Sequence, residues 1–339
     1  MTSPREGTAK RALSESFKYL TAVEIALGPI AVCQAWTQAA QQDELWRWLY
    51  YTDFPGDPVL SAHSLMQPKD AYRLSYRKQS RLYSFSAPGN SLYIYNLYHH
   101  RATVKAMPLP VYYRQGWKVL ANGRLFVCGG INAQGDTVGD VHTIDTERWT
   151  VELFPPLPKS RAAPGLGEFK EHIYVFGGID VAKMARSDRF DPAARRWTGL
   201  PSMPTSKHMF SVVIYQQKFW LLAFDGVYIE EFDPVSLIYR NLYVRVPYFT
   251  SVVAAFTYHD YVYYFGLDQY YRLHLDKGVV DGIAQPYSAP RTLGYCVQIA
   301  YFQGHVFLLK HEHPVPRKVL EFQLETDLLV SVGVVYAPV

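Results

Sequence analysis

A unit of 43 to 48 residues recurs through most of this chain, and that recurrence limits the fold more than any other feature. Short apolar segments mark it: LYSF (82–85), LFVCGG (125–130), IYVFGG (173–178), FWLLAF (219–224), VYYFG (262–266) and VFLL (306–309). An apolar residue followed by a turn former keeps the same beat, at Tyr95-Asn96, Ile144-Asp145, Phe190-Asp191, Phe232-Asp233, Leu275-Asp276 and Leu324-Glu325. Asn and Asp suit such positions because their side chains accept hydrogen bonds from nearby backbone N–H groups. Prolines form a third column, at Pro68, Pro110, Pro158, Pro204, Pro247, Pro290 and Pro338, and so enclose six units.

Each unit reads as four strands. A half-apolar strand such as FSVVIY (210–215) follows the proline, and a short turn leads to the fully apolar strand. A third strand runs to the Asp turn, and a fourth carries an aromatic residue, Trp149, Trp197 or Tyr239. Four strands at a period near 45 describe a propeller blade. A short strand buried on both faces reads as a continuous apolar run rather than an alternation. The expected fold is mainly β: a six-bladed propeller over 68–339, with the strands at 125–128, 173–176, 219–222, 262–265 and 306–309 near the ring axis. Residues 68–80 admit two readings, the first strand of blade one or a helix closing the preceding segment. Aromatic residues at 15%, with 27 Tyr, fit strands better than helices.

The glycine pairs of FVCGG and YVFGG, the turn leading to Trp in DPAARRW (191–197) and the Met203-Pro204 pair resemble the kelch family. Units 111–158 and 159–204 carry the resemblance best. The later units place Ala223-Phe224, Gly266-Leu267 and Lys310-His311 where the glycine pair stands. Glycine at these positions is expected for backbone geometry, and tryptophan for packing between blades. The resemblance implies a kelch-type propeller.

Residues 1–12 read as a frayed tail, 13–54 as a small helical module and 55–67 as a linker. Ser14 suits a helix N-cap, and Gly28-Pro29 marks a kink or boundary. Asp43 caps a last short helix bearing Leu45, Trp46 and Leu49. About forty residues of short helix are too few for independent stability. FKYL (17–20), VCQAW (32–36) and DELW (43–46) resemble an F-box, although the Leu-Pro opening common in that family is absent before Phe17 and the stretch from Leu20 to Cys33 is about one residue longer. This resemblance implies docking onto the Skp-type adaptor of a cullin ubiquitin ligase complex, through Phe17, Leu20, Ile25, Ile30, Val32, Trp36, Leu45 and Trp46. The alternative is a helical cap whose apolar residues serve only its own core.

Net charge is +4, too mild for a dedicated nucleic-acid binder. No apolar run approaches a membrane span. The three cysteines, Cys33, Cys128 and Cys296, form neither a disulfide framework nor a CxxC pair. Free thiols in an apolar context fit a reducing compartment, cytoplasmic or nuclear. His99-His100 and His311-Glu312-His313 lack a third metal ligand nearby and read as solvated loops. No GxSxG elbow, P-loop or GxGxxG follows a strand. The expectation is therefore no catalytic set, no metal and no cofactor.

The two functional readings are a substrate receptor of a Skp-cullin-F-box ubiquitin ligase and a non-catalytic structural subunit using the propeller as a platform. Loops that follow the column prolines lie on a ring face. They carry Tyr112, Tyr113 and Arg114, then Lys159 and Arg161, then Lys207 and His208, then Tyr248 and Phe249, then Arg291. All are basic or aromatic. A mouth so lined suits an acidic or phosphorylated protein segment, because a guanidinium grips carboxylate or phosphate bidentately and Tyr supplies rigid contact area.

Overall fold

The computed structural model describes residues 42–53, 66–85, 91–97, 99, 101–107, 109, 116–120, 123–208, 210–222, 229–242, 254–258, 261–265, 270–274, 279–281, 295–302, 305–311, 317–323 and 328–335. The chain divides into two compact units, Met1–Arg77 and Lys78–Val339.

In the first unit, α1 (Asp43–Asp53) opens with two acidic residues, Asp43 and Glu44, which suit the positive end of the helix dipole. It buries Leu45, Trp46, Leu49 and Tyr50 on one face. The second helix, α2 (Pro68–Gln79), starts with Pro68, whose locked φ and missing N–H cost nothing in a first turn. Asp70 and Arg73 pair one turn apart, and Ala71, Tyr72 and Ser75 line the buried face. Helical spacing of those residues decides between the two readings of this segment. Trp46 meets Tyr72 edge-to-face, with ring centroids 5.3 Å apart, and the Lys69 ammonium lies 5.0 Å from the Trp46 ring centre.

The second unit holds six antiparallel sheets among its described residues. The first has three strands, β1 (Arg81–Phe85), β2 (Ser91–Asn96) and β3 (Arg101–Ala106). The second contains β4 (Gly116–Val119), β5 (Leu125–Cys128), β6 (Val141–Ile144) and β7 (Val151–Phe154). The third contains β8 (Gly165–Phe169), β9 (His172–Phe176), β10 (Ser187–Asp191) and β11 (Arg196–Leu200). The fourth contains β12 (Ser211–Tyr215), β13 (Lys218–Leu222), β14 (Ile229–Asp233) and β15 (Ile238–Leu242). The fifth contains β16 (Ala254–Tyr258), β17 (Tyr261–Phe265), β18 (Tyr270–His274) and β19 (Val279–Asp281). The sixth contains β20 (Tyr295–Phe302), β21 (His305–His311), β22 (Arg317–Gln323) and β23 (Leu328–Val335).

Every sheet is a meander in chain order. First strands of successive sheets neighbour one another, β4 with β8, β8 with β12, β12 with β16 and β16 with β20. The ring closes where β1 lies beside β20 and β21, and β3 beside β23. This is a six-bladed β-propeller whose first blade, among the described residues, has three strands. The apolar strands β5, β9, β13, β17 and β21 stand second in their sheets, as expected of strands buried on both faces near the axis. Their burial comes from the neighbouring sheets. Phe126, Phe190 and Trp197 join sheets two and three, while Tyr174, Phe176, Phe219 and Phe232 join sheets three and four. Trp197 also donates its indole N–H to the Pro155 carbonyl of the preceding blade at 2.9 Å.

The Asp turns are built alike. Asp145 accepts the backbone N–H groups of Arg148 and Glu147, both at 2.9 Å. Asp191 accepts that of Ala194 at 2.9 Å, and Asp233 that of Val235 at 2.8 Å. These bonds hold all three carboxyls below the usual carboxylate range. Four residues past each Asp the chain turns left-handed, at Trp149 (φ 58°), Arg195 (φ 52°) and Leu237 (φ 59°). Trp149 is therefore a turn residue, whereas Trp197 and Tyr239 lie in outer strands. The sequence column that grouped the three is corrected at Trp149.

Candidate binding face at the blade-joining loops

In an antiparallel meander the link from second to third strand and the link to the next blade emerge at the same end. The structure stitches these two kinds of loop together, in the same way twice. Gly130 N–H donates to the Arg161 carbonyl at 3.0 Å, and Gly178 N–H to the Lys207 carbonyl at 2.8 Å. In return Arg161 N–H donates to Val138 at 3.3 Å, and Lys207 N–H to Met184 at 3.1 Å. Leu157 bonds Gly139 at 2.7 Å where Met203 bonds Ala185, also at 2.7 Å. The loop between blades two and three is further pinned to blade three by reciprocal bonds of 2.8 Å between Ala162 and Ile179. The glycine pairs thus have a cause: the next loop's carbonyl sits where a side chain would otherwise project.

Arg161 and Lys207 also occupy equivalent places with their side chains. Arg161 is wholly buried and donates to Asp188 at 2.7 Å. Lys207, 4% exposed, donates to Glu230 at 2.9 Å. Asp188 and Glu230 are each the second residue of a third strand, β10 and β14, and neither is exposed. Around Asp188, Arg186 adds a bidentate grip, with Nε–Oδ2 and Nη2–Oδ1 both 2.8 Å. Around Glu230, Thr205 donates its hydroxyl at 2.5 Å and receives a hydrogen bond from Lys207. His142 holds the same strand position in blade two, and burial lowers its pKa.

This geometry corrects the sequence reading at two residues. Arg161 and Lys207 are not open cations at the ring mouth; buried carboxylates neutralise them. Charge buried in a low-dielectric interior is tolerated only when it is paired in this way. The acids were missed because only the loops were read. Their signal was present: a charged residue three positions before the turn aspartates Asp191 and Asp233, on a strand that is otherwise buried. Lys159 does remain exposed, 3.6 Å from Asp180, and His208 is half-buried. Tyr112, Tyr113, Arg114, Tyr248, Phe249 and Arg291 lie outside the described residues.

Of the helical set, Phe17, Leu20, Ile25, Ile30, Val32 and Trp36 lie outside the described residues too. Leu45 and Trp46, at 1% and 2% exposure, are core residues of the helical unit rather than members of an open docking face. Cys128 is buried, which pushes its thiol up to about 12, so it is a core hydrophobe and no nucleophile. Among the described residues no three His, Cys, Asp or Glu side chains gather as a metal site. No described helix is long and apolar enough to cross a membrane. His311 ends strand β21 rather than standing in a loop.

The fold and its loop face define a β-propeller. The solved structure of YjhT superposes with a TM-score of 0.62 at 14% identity, over 75% of this chain and 95% of that one, a likeness of fold. A stretch of 80 residues is 36% identical to Protein C13 of Swinepox virus (strain Kasza), 23% of this chain and 16% of that protein. Another of 72 residues is 32% identical to Kelch-like protein 41 of Mus musculus, 20% of this chain and 12% of that one. The human Kelch-like protein 41 matches to the same extent. These matches span under a fifth of the curated relatives' length. No family model matches the chain. Together with the glycine pairs and Asp turns, the comparisons support a kelch-repeat propeller.

Proposed function

We propose that the protein is a non-catalytic interaction module whose propeller holds a protein partner on the face of the blade-joining loops. The observation that carries this reading is the stitching of those loops: backbone bonds and buried ion pairs make the face a preorganised platform, and preorganisation lowers the entropic cost of binding. The kelch-like relatives support an interaction role of this kind. In the finer form of the proposal, residues 13–54 dock onto a Skp-type adaptor and a cullin complex, and the propeller presents a substrate for ubiquitination. The burial of Leu45 and Trp46 favours a second reading, in which the helical unit is only a cap and the propeller a scaffold subunit.

Co-purification with a Skp-type adaptor and cullin separates the two. In the receptor reading the native chain captures both and Ile30→Asp loses both while the propeller stays folded. Retention by the variant leaves the scaffold reading. An acidic or phosphorylated partner segment would be read by Arg114 and Arg291, with Arg161 and Lys207 excluded by their burial. Binding of the captured substrate to an Arg114→Glu, Arg291→Glu double variant then weakens, and its salt dependence shrinks. Unchanged affinity at every salt concentration contradicts the charge-recognition proposal.

A further inference from the structure

Each buried ion pair in the loop face has one arm in solvent. Arg186 grips Asp188 from a side chain that is 44% exposed, and exposed Thr205 bridges Lys207 and Glu230. The pairs have the same topology. A cation on the blade-joining loop holds the preceding blade through its backbone, at Gly130 or Gly178. It holds the following blade through its side chain, at Asp188 or Glu230. Each cation therefore spans a seam between blades, and among the described residues it has a single acidic partner. Two nitrogens of Arg161 and one oxygen of Glu230 carry no hydrogen bond. Arg161 and Lys207 thus rest on one carboxylate each, while Asp188 is also held by Arg186 and Glu230 also accepts from Thr205.

We propose that these are two copies of one conformational device: a buried clasp that keeps a face loop docked, with Arg186 and Thr205 as surface handles through which the loop can be loosened locally. Breaking a clasp frees the loop and its glycine contact while the strands stay paired. An ordinary core contact would instead weaken the whole ring.

Amide hydrogen exchange on the full chain tests this. Arg161→Met should speed exchange at the Gly130, Ala162 and Ile179 amides by more than about tenfold, leaving the β13 amides unchanged. Lys207→Met should act in the same way on Gly178 alone among these amides. Arg186→Gln and Thr205→Val should reproduce the two patterns more weakly. Should Arg161→Met fail to fold, the double variant Arg161→Met, Asp188→Leu removes both charges and should return a folded ring with slow loop exchange. The device is refuted by single variants that exchange like the native chain, by acceleration spread evenly over all strands, or by a double variant no better than Arg161→Met.

Discussion

A Cβ placed on Gly129 would stand 2.1 Å from the Arg161 carbonyl oxygen, and one on Gly177 would stand 2.4 Å from that of Lys207. Both residues have positive φ, 64° and 54°. Gly129→Ala therefore meets two penalties: a left-handed backbone, about 1–2 kcal/mol, and a clash with backbone that cannot rotate away. We expect a loss of more than about 2 kcal/mol in urea unfolding. Gly199 is the control. It lies exposed in β11 with nothing within 4 Å of its Cβ position. Gly199→Ala should gain about 0.5–1 kcal/mol, since glycine inside a strand costs that much. Equal effects at the two sites would contradict the close-approach account. The glycine pairs were legible in the sequence, but what they approach was not. Arg161 and Lys207 read as surface cations because a loop position says nothing of where a long side chain ends.

At the scale of elements, two tight turns conflict with their own residues. Phe169 pairs with His172, and Tyr215 with Lys218, so Lys170-Glu171 and Gln216-Gln217 form two-residue turns. All four have positive φ, between 45° and 63°. A hairpin of this geometry favours Asn-Gly. Strand pairing on both sides forces the chain through it regardless, an override of local preference by register. Replacing Gln216-Gln217 with Asn-Gly should therefore raise stability by about 1–2 kcal/mol. The denaturant midpoint should rise with no change in slope; an unchanged midpoint would mean the left-handed residues carry no strain. The segment 68–79 shows the opposite case. Its proline continued the repeat column, yet Ala71, Tyr72 and Ser75 share one helical face, and burial of that face decides for α2.

At the scale of the molecule, closure joins the first sheet to the last, with β3 beside β23 and β1 beside β20 and β21. Deleting Leu328–Val335 removes β23, exposes the edge of β22 and strips the seam against β3. We expect the thermal midpoint to fall by about 10 °C or more. An unchanged midpoint would mean that the seam contributes nothing to closure. The repeat period, the apolar second strands and the Asp turns were set by the sequence alone, because they follow from local rules that each unit obeys by itself. Blade number followed from counting them. Three other things belonged to the tertiary structure: which loop residues stay in solvent, which acids they meet, and whether Leu45 and Trp46 face outward. Those depend on how loops and helices dock onto elements distant in the chain, which no local pattern within a repeat reveals. Arg161 and Asp188 stand 27 residues apart, on a blade-joining loop and on a strand of the blade that follows it. Only when the blades pack side by side does the low-dielectric seam between them make that pair obligatory.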